Sequence, residues 1–282
     1  MSMDIPLPKR IMLKLIRQFS PRYAHELMVK EVTKSHNMCS DSDEEFYGRI
    51  YLEFINRALS GRGLGSLKIL DAGSGDGRIC LPLAKSGHKV DAVDFTGRTL
   101  SRIRRFAGPQ TANISFFFRE ISEFLADSPD CSYDCVICTE VTYMLKNYDQ
   151  VINGLVRVLK PGGMLVLSVR PKLFYCLDKI RSNDLLDAFF VCRNRDGHEK
   201  NWFFNWYRAD ELKQKLAALG ILDIRCFGIG VCSGIEGDPQ AGFCRPSKLD
   251  DQQKARLFEI EMELAPLYPD YGRYILAIGK KR

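Results

Sequence analysis

The stretch Lys68-Ile69-Leu70-Asp71-Ala72-Gly73-Ser74-Gly75-Asp76-Gly77-Arg78 decides the fold. Lys68-Ile69-Leu70 reads as a short buried strand, and the residues from Ile79 to Lys85 read as the helix that follows. Between them, three glycines at alternate positions make a tight turn where the backbone can approach a ligand closely. Asp71 ends the strand, ahead of the glycines rather than among them. A dinucleotide fingerprint, G-x-G-x-x-G, sets a pyrophosphate on the helix N-terminus. Here its sixth position is Arg78. A carboxylate at the mouth of the loop repels a phosphate but suits an ammonium or sulfonium group.

Further segments follow in order. His88-Lys89-Val90-Asp91-Ala92-Val93-Asp94 is an apolar strand ending in an acid. Asp94 lies about twenty residues past the glycines, where a carboxylate can accept ribose hydroxyls. Asn113 to Phe118 reads as a third strand, followed by Arg119-Glu120-Ile121. Tyr133-Asp134-Cys135-Val136-Ile137-Cys138 reads as a fourth, leading into Thr139-Glu140-Val141. Lys160-Pro161-Gly162-Gly163 is a helix stop with turn chemistry, feeding a fifth strand, Met164 to Val169. Tyr274 to Lys280 reads as a final strand, with Asp223 to Ile229 as its partner.

This series resembles the class I, Rossmann-like S-adenosylmethionine-dependent methyltransferases, whose first motif is of the D/E-x-G-x-G-x-G kind. The resemblance runs from about residue 67 to the C-terminus. It implies a doubly wound α/β fold with a seven-stranded, mostly parallel sheet and an antiparallel last strand. It also implies S-adenosylmethionine as cofactor, held by Asp71, Gly73, Ser74, Gly75, Asp94, Phe95, Glu120, Ile121 and Glu140. In the family the place of Arg119-Glu120-Ile121 is usually Gly-Asp-Ala, the acid taking the adenine amino group. Glu120 keeps the acceptor, while Arg119 and Ile121 depart from the pattern.

Such chemistry leaves few catalytic marks, because the sulfonium already makes the methyl electrophilic and the protein mainly aligns a nucleophile. Glu140, Tyr143 and Arg170 lie just after the fourth and fifth strands, where open α/β sheets bind ligands. Glu140 and Tyr143 are the catalytic candidates. Contact with a ligand competes for Glu140 with a helix N-cap or surface role, and for Tyr143 with simple packing. Arg170 is a candidate for an acidic group on the substrate. His198 reads as a solvated loop position in Asn194-Arg195-Asp196-Gly197-His198.

Around this core the sequence predicts two elaborations. Residues 1–66 read as an N-terminal helical extension packing on the core, with Phe46, Ile50, Phe54 and Leu59 at helical spacing. Residues 171–207 form an aromatic-rich insertion carrying both tryptophans, Trp202 and Trp206, beside Tyr207. These three are expected to form a cap over the acceptor. A third stretch, 230–246, is rich in Gly, Pro and Cys.

Composition limits the alternatives. A chain of 282 residues, 45% hydrophobic, can bury one α/β core plus a cap. Net charge is +6, from 41 Lys+Arg against 35 Asp+Glu, without a basic block interleaved with aromatics, so a nucleic-acid partner is not indicated. Lys9, Arg10, Lys14, Arg17 and Arg22 flank the apolar run Ile11 to Ile16, but no signal peptide or membrane span is legible, and a cytoplasmic setting is expected. Ten cysteines are too sparse for a disulfide scaffold. Cys135-x-x-Cys138 is the one metal-like pair, yet residues three apart on a strand face opposite ways, so no metal is expected.

The expected activity is methyl transfer to an O, N or C nucleophile of a small molecule. A protein or RNA acceptor, and a non-catalytic S-adenosylmethionine-binding protein, stay open beside it. An NAD(P)-dependent oxidoreductase would share the acid at 94 but has no use for Asp71.

Overall fold

The structure, a computed structural model, describes residues 42–60, 65–96, 103, 112–199 and 202–282. The basic, apolar segment around residues 9–22 and the polar stretch 35–41 lie outside the described residues.

The centre is a seven-stranded sheet of β1 (Lys68–Ala72), β2 (Lys89–Asp94), β3 (Ile114–Phe118), β4 (Tyr133–Cys138), β5 (Leu159–Val169), β8 (Ile221–Ile229) and β9 (Tyr274–Lys281). Their spatial order is β3-β2-β1-β4-β5-β9-β8. The pairs β1·β2, β1·β4, β2·β3 and β4·β5 are parallel, and β9 runs antiparallel to both neighbours. The sequence order reverses between β1 and β4, which opens a crevice at the C-terminal edge of those strands.

The central strands are apolar on both sides because helices cover both faces. Ile69, Cys135, Ile137, Met164 and Val166 join one core with Phe46, Tyr47, Ile50, Tyr51 and Phe54 of α1 (Ser42–Leu59), Leu83 of α2 (Cys80–Lys85) and Leu257 of α8 (Asp251–Leu264). Their alternate neighbours Leu70, Val136, Cys138, Leu165 and Leu167 join the other. That core is closed by α3 (Ile121–Asp127), α4 (Tyr148–Val158) and α7 (Ala209–Ala218). The two β4 thiols therefore do lie in opposite layers, and among the described residues no cluster of His, Cys, Asp and Glu could hold a metal.

The junction between α4 and β5 differs most from the sequence reading. Helix α4 stops at Val158, and the Pro-Gly-Gly turn is embedded in β5. Tyr133 pairs with Leu159 but Cys135 already pairs with Met164, so residues 160–163 bulge from the ladder around Gly162 at φ +71°.

The insertion after β5 is a small layer of its own. It consists of α5 (Lys172–Arg181), α6 (Leu185–Arg193) and a hairpin of β6 (Asp196–Glu199) with β7 (Trp202–Asn205). Phe174, Tyr175, Val191 and Trp206 form its core. Pro171 bridges Tyr207, closing the insertion at its base. No helix among the described residues is long and apolar enough to cross a membrane.

Candidate functional site

The loop after β1 turns back over the end of β2. Gly73 and Ser74 both donate backbone N–H bonds to Val93 O, at 2.8 and 3.0 Å. Gly73, Gly75 and Gly77 have φ of +86°, +50° and +89°, a region that side chains rarely adopt. Space is limiting as well: a Cβ on Gly73 would sit 2.3 Å from Val141 Cγ2.

Two acids face this loop. Asp94 accepts from Gly75 N at 3.0 Å on one oxygen and from Thr96 N and Oγ1, at 2.8 and 2.6 Å, on the other. Asp71 is 1% exposed, and its Oδ2 has no hydrogen-bond partner among the described residues. Ser74 Oγ is orphaned in the same way. Burial, and then the charge of Asp94, push the Asp71 carboxyl up to about 7. The charge of Arg78 and a backbone hydrogen bond at Cys80 oppose that rise without cancelling it. Phe95 follows Asp94 and is partly exposed. Glu120 is exposed at the N-terminus of α3, and Ile121 packs partly on the core below it.

Glu140 has a role that neither alternative weighed for it from sequence. It sits at φ +61°, its N–H donates to Ser168 Oγ at 2.7 Å, and its carboxylate accepts from Arg78 Nη2 at 2.8 Å. Arg78 Nη1 donates to Glu44 Oε2 at 2.7 Å, making a buried Glu44–Arg78–Glu140 triad. Burial acts to raise the Glu140 pKa, but Arg78, Arg273 and Arg170 outweigh it and hold the group below the ordinary carboxylate range. The Arg78 stem crosses α1 at Gly48, where a Cβ would lie 2.8 Å from its Cγ and Cδ. Arg78 thus staples α1, the glycine loop and the loop after β4 together.

The residues expected to meet the acceptor lie at the ends of β4 and β5 and the start of β9. Tyr143, in a 3₁₀ turn (Thr142–Met144), stacks on Phe204 with ring centroids 6.5 Å apart and meets Tyr274 edge-on at 5.8 Å. Asn205 Nδ2 donates to Thr142 O at 2.7 Å, and Phe203 stacks on Tyr148. The cap therefore does pack on the loop after β4, through Phe203, Phe204 and Asn205.

This corrects the expectation for the other cap aromatics. Trp206 is 3% exposed inside the insertion's own core and donates Nε1–H to Asn194 O at 2.7 Å. Tyr207 is 5% exposed in the sheet core on the α4–α7 side. The rings that meet Tyr143 are Phe204 and Tyr274. Trp202 is partly exposed on β7. A cavity of about 270 Å³ lies within the cap, lined by Tyr175, Phe190, Val191, Phe204, Trp206 and the exposed His198 among others. Phe204 is its wall toward Tyr143. The sequence reading also missed Glu44, Tyr274 and Arg273, and an alternation signal (Trp202, Phe204) was the one available pointer to the hairpin's facing residue.

A methyltransferase-domain family model matches residues 69–163. The ubiquinone biosynthesis O-methyltransferase of Rickettsia canadensis is 30% identical over 176 residues, covering 61% of this chain and 70% of that protein. The chain belongs to the class I S-adenosylmethionine-dependent methyltransferases. The corresponding protein of Rickettsia akari is 34% identical over 171 residues, 56% of this chain and 66% of its own length. The chain spans 66%, 46% and 62% of the first three curated relatives it matches. The crystal structure of magnesium protoporphyrin IX methyltransferase from Synechocystis PCC 6803 superposes with a TM-score of 0.56 at 14% identity, covering 97% of this chain and all (100%) of that one. That likeness is one of fold.

Proposed function

We propose that this chain transfers a methyl group from S-adenosylmethionine to an oxygen, nitrogen or carbon nucleophile of a small molecule. The observation that carries the reading is the buried Asp71 Oδ2 without a partner at the mouth of a glycine loop that leaves no room for a Cβ at Gly73. When bound, the cofactor supplies an electrophilic methyl on a sulfonium.

The residues present suit that cofactor. Asp71 would face its ammonium and sulfonium end, whose charge favours the ionised carboxylate that burial alone disfavours. Asp94 holds Gly75 N–H and Thr96 in place, and its position at the end of β2 suits it to meet the ribose. Glu120 and Ile121 border the adenine end. Tyr143 and Phe204 border the acceptor, orient it in line with the methyl and exclude water. Glu140 is tied to Arg78, so it positions the loop rather than acting as a free base.

A small acceptor is favoured by the compact cap and by the Rickettsia relatives' assignment to ubiquinone biosynthesis, which also makes oxygen the first atom to test. The assay incubates the purified chain with labelled S-adenosylmethionine and matched phenols, amines, folded proteins and RNA. Label carried to small phenols or amines is expected. Transfer to protein or RNA alone would overturn the acceptor class, and tight binding without transfer to any of these would favour a non-catalytic role.

A further inference from the structure

Three arginines converge at the acceptor side of the sheet edge, and two of them have carboxylate partners. Arg78 bonds Glu44 and Glu140. Arg273, 1% exposed at the start of β9, pairs with Asp238 through Nε. Arg170, directly after β5, is the exception. Among the described residues no carboxylate lies within ion-pair distance of it, and its recorded hydrogen bond is from Nη1 to the Arg273 carbonyl at 3.0 Å.

The surroundings of Arg170 are aromatic. Its guanidinium carbon lies 3.9 Å from the Tyr274 ring centroid, 4.1 Å from that of Phe174 and 5.2 Å from that of Tyr143. Ring faces attract a guanidinium but do not satisfy its N–H groups. A guanidinium has five such donors, arranged as a planar fork that matches a carboxylate or phosphate. Arg170 is partly exposed as a residue, while its guanidinium is desolvated among these rings. Nearby, Arg273 Nη1 is buried with no hydrogen-bond partner among the described residues. The nearest acids, Glu140 and Asp238, act on Arg170 only through space, because their hydrogen bonds go to Arg78 and Arg273.

We infer that Arg170, in its box of Tyr143, Phe174 and Tyr274, anchors an oxyanion, carboxylate or phosphate, carried by an aromatic or apolar methyl acceptor. This rests on the methyltransferase reading and narrows its acceptor to an anionic one. The rings that hold the cation in place also give the acceptor's apolar body a surface to lie on. The cofactor's own carboxylate is the competing anion. The position argues against it, since Asp71 ends β1 while Arg170 ends β5, two strands away across β4, on the order of 10 Å at the usual strand spacing.

The test is calorimetric, on the full chain saturated with S-adenosylhomocysteine, using benzoate and phenyl phosphate as anionic probes and benzamide as the neutral match. At least one anion is expected to bind tenfold or more tightly than benzamide. Arg170→Gln is expected to abolish that preference, and Arg170→Lys, which keeps the charge but loses the fork, to retain a weaker one. S-adenosylhomocysteine affinity should be the same in all three proteins. The proposal is overturned if neither anion is preferred by the wild type, or if the preference survives in Arg170→Gln. It is equally overturned if Arg170→Gln weakens S-adenosylhomocysteine instead, because the arginine then serves the cofactor. Should Arg170→Gln fail to fold, Arg170→Lys decides: an undiminished preference contradicts the inference. Repeating the titrations without S-adenosylhomocysteine reads the anion preference separately from the methyltransferase assignment, which fails only if that nucleoside does not bind the wild type.

Discussion

The two halves of the sheet's C-terminal edge carry opposite charge problems. At β1 and β2, Asp71 and Asp94 bring two carboxylates together, and Asp71 Oδ2 is buried with no partner. At β5 and β9, Arg170 and Arg273 bring two guanidinium groups together, joined by a bond from Arg170 to the Arg273 carbonyl. Between them the Glu44–Arg78–Glu140 triad is internally satisfied. The difference teaches that, among the described residues of this edge, a buried carboxylate oxygen without a partner and a guanidinium without an ion pair stand on its two sides, while the wall between them shares one arginine between two carboxylates. Buried charges without partners are costly, and such sites are where function resides.

The largest effect is expected from breaking the wall. Arg78→Met leaves Glu44 and Glu140 buried and facing each other, and removing one partner of a buried ion pair costs about 3–5 kcal/mol. Urea unfolding should show a lowered midpoint, and adding Glu140→Gln to Arg78→Met should recover part of the loss. A midpoint unchanged by Arg78→Met would show that the triad does not hold the site together.

On the acidic side, Asp94→Ala should weaken cofactor binding at least tenfold, since a hydrogen bond to a charged group contributes about 1.5–3 kcal/mol. Asp94→Asn should recover part of this by keeping one acceptor. Equal affinity for S-adenosylhomocysteine in Asp94→Ala would mean that the ribose lies elsewhere. Gly73→Ala should destabilise the fold by about 1–3 kcal/mol, because φ +86° and the contact with Val141 both oppose a side chain. Adding Val141→Ala should relieve only the contact, and full rescue would remove the backbone from the explanation.

The most diagnostic effect is on pH. The Asp71 pKa is raised from 3.8 in an exposed setting to about 7 in the fold. The folded state therefore holds a proton that the unfolded state has released, and stability without ligand falls as pH rises from about 4 to about 7. A bound cation favours the ionised form, so S-adenosylmethionine affinity should rise through the same upper limit, by at most about tenfold per pH unit. Asp71→Asn should flatten both profiles. Profiles unchanged by that variant would place the titration elsewhere.

Much of this was legible from residues alone, for identifiable reasons. Strands buried on both faces need near-continuous apolar runs, so Ile69-Leu70, Val90 to Val93 and Val136-Ile137 announce β1, β2 and β4. The order of Asp71 and the glycines distinguished a cation-receiving loop from a phosphate-receiving one. The wall was illegible because its members are 34 and 62 residues apart, and Arg78 showed itself only as a misfit to the dinucleotide fingerprint. In the cap, local sequence could not tell Phe204, which meets Tyr143, from Trp206, which fills the insertion's core. Similar aromatics two residues apart acquire different fates only when α5 and α6 are packed against the hairpin. Arg170 could be named from its place after β5, but its ring box needed Tyr274, 104 residues later, which only the pairing of β5 with β9 supplies.

The most direct test of the central claim is a calorimetric titration of the purified wild-type chain with S-adenosylmethionine, S-adenosylhomocysteine and NAD at about pH 7.5, above the Asp71 transition. Both nucleosides should bind in the micromolar range, about −8 kcal/mol, and NAD should give no binding heat. Saturable NAD binding with no response to either nucleoside would contradict the account.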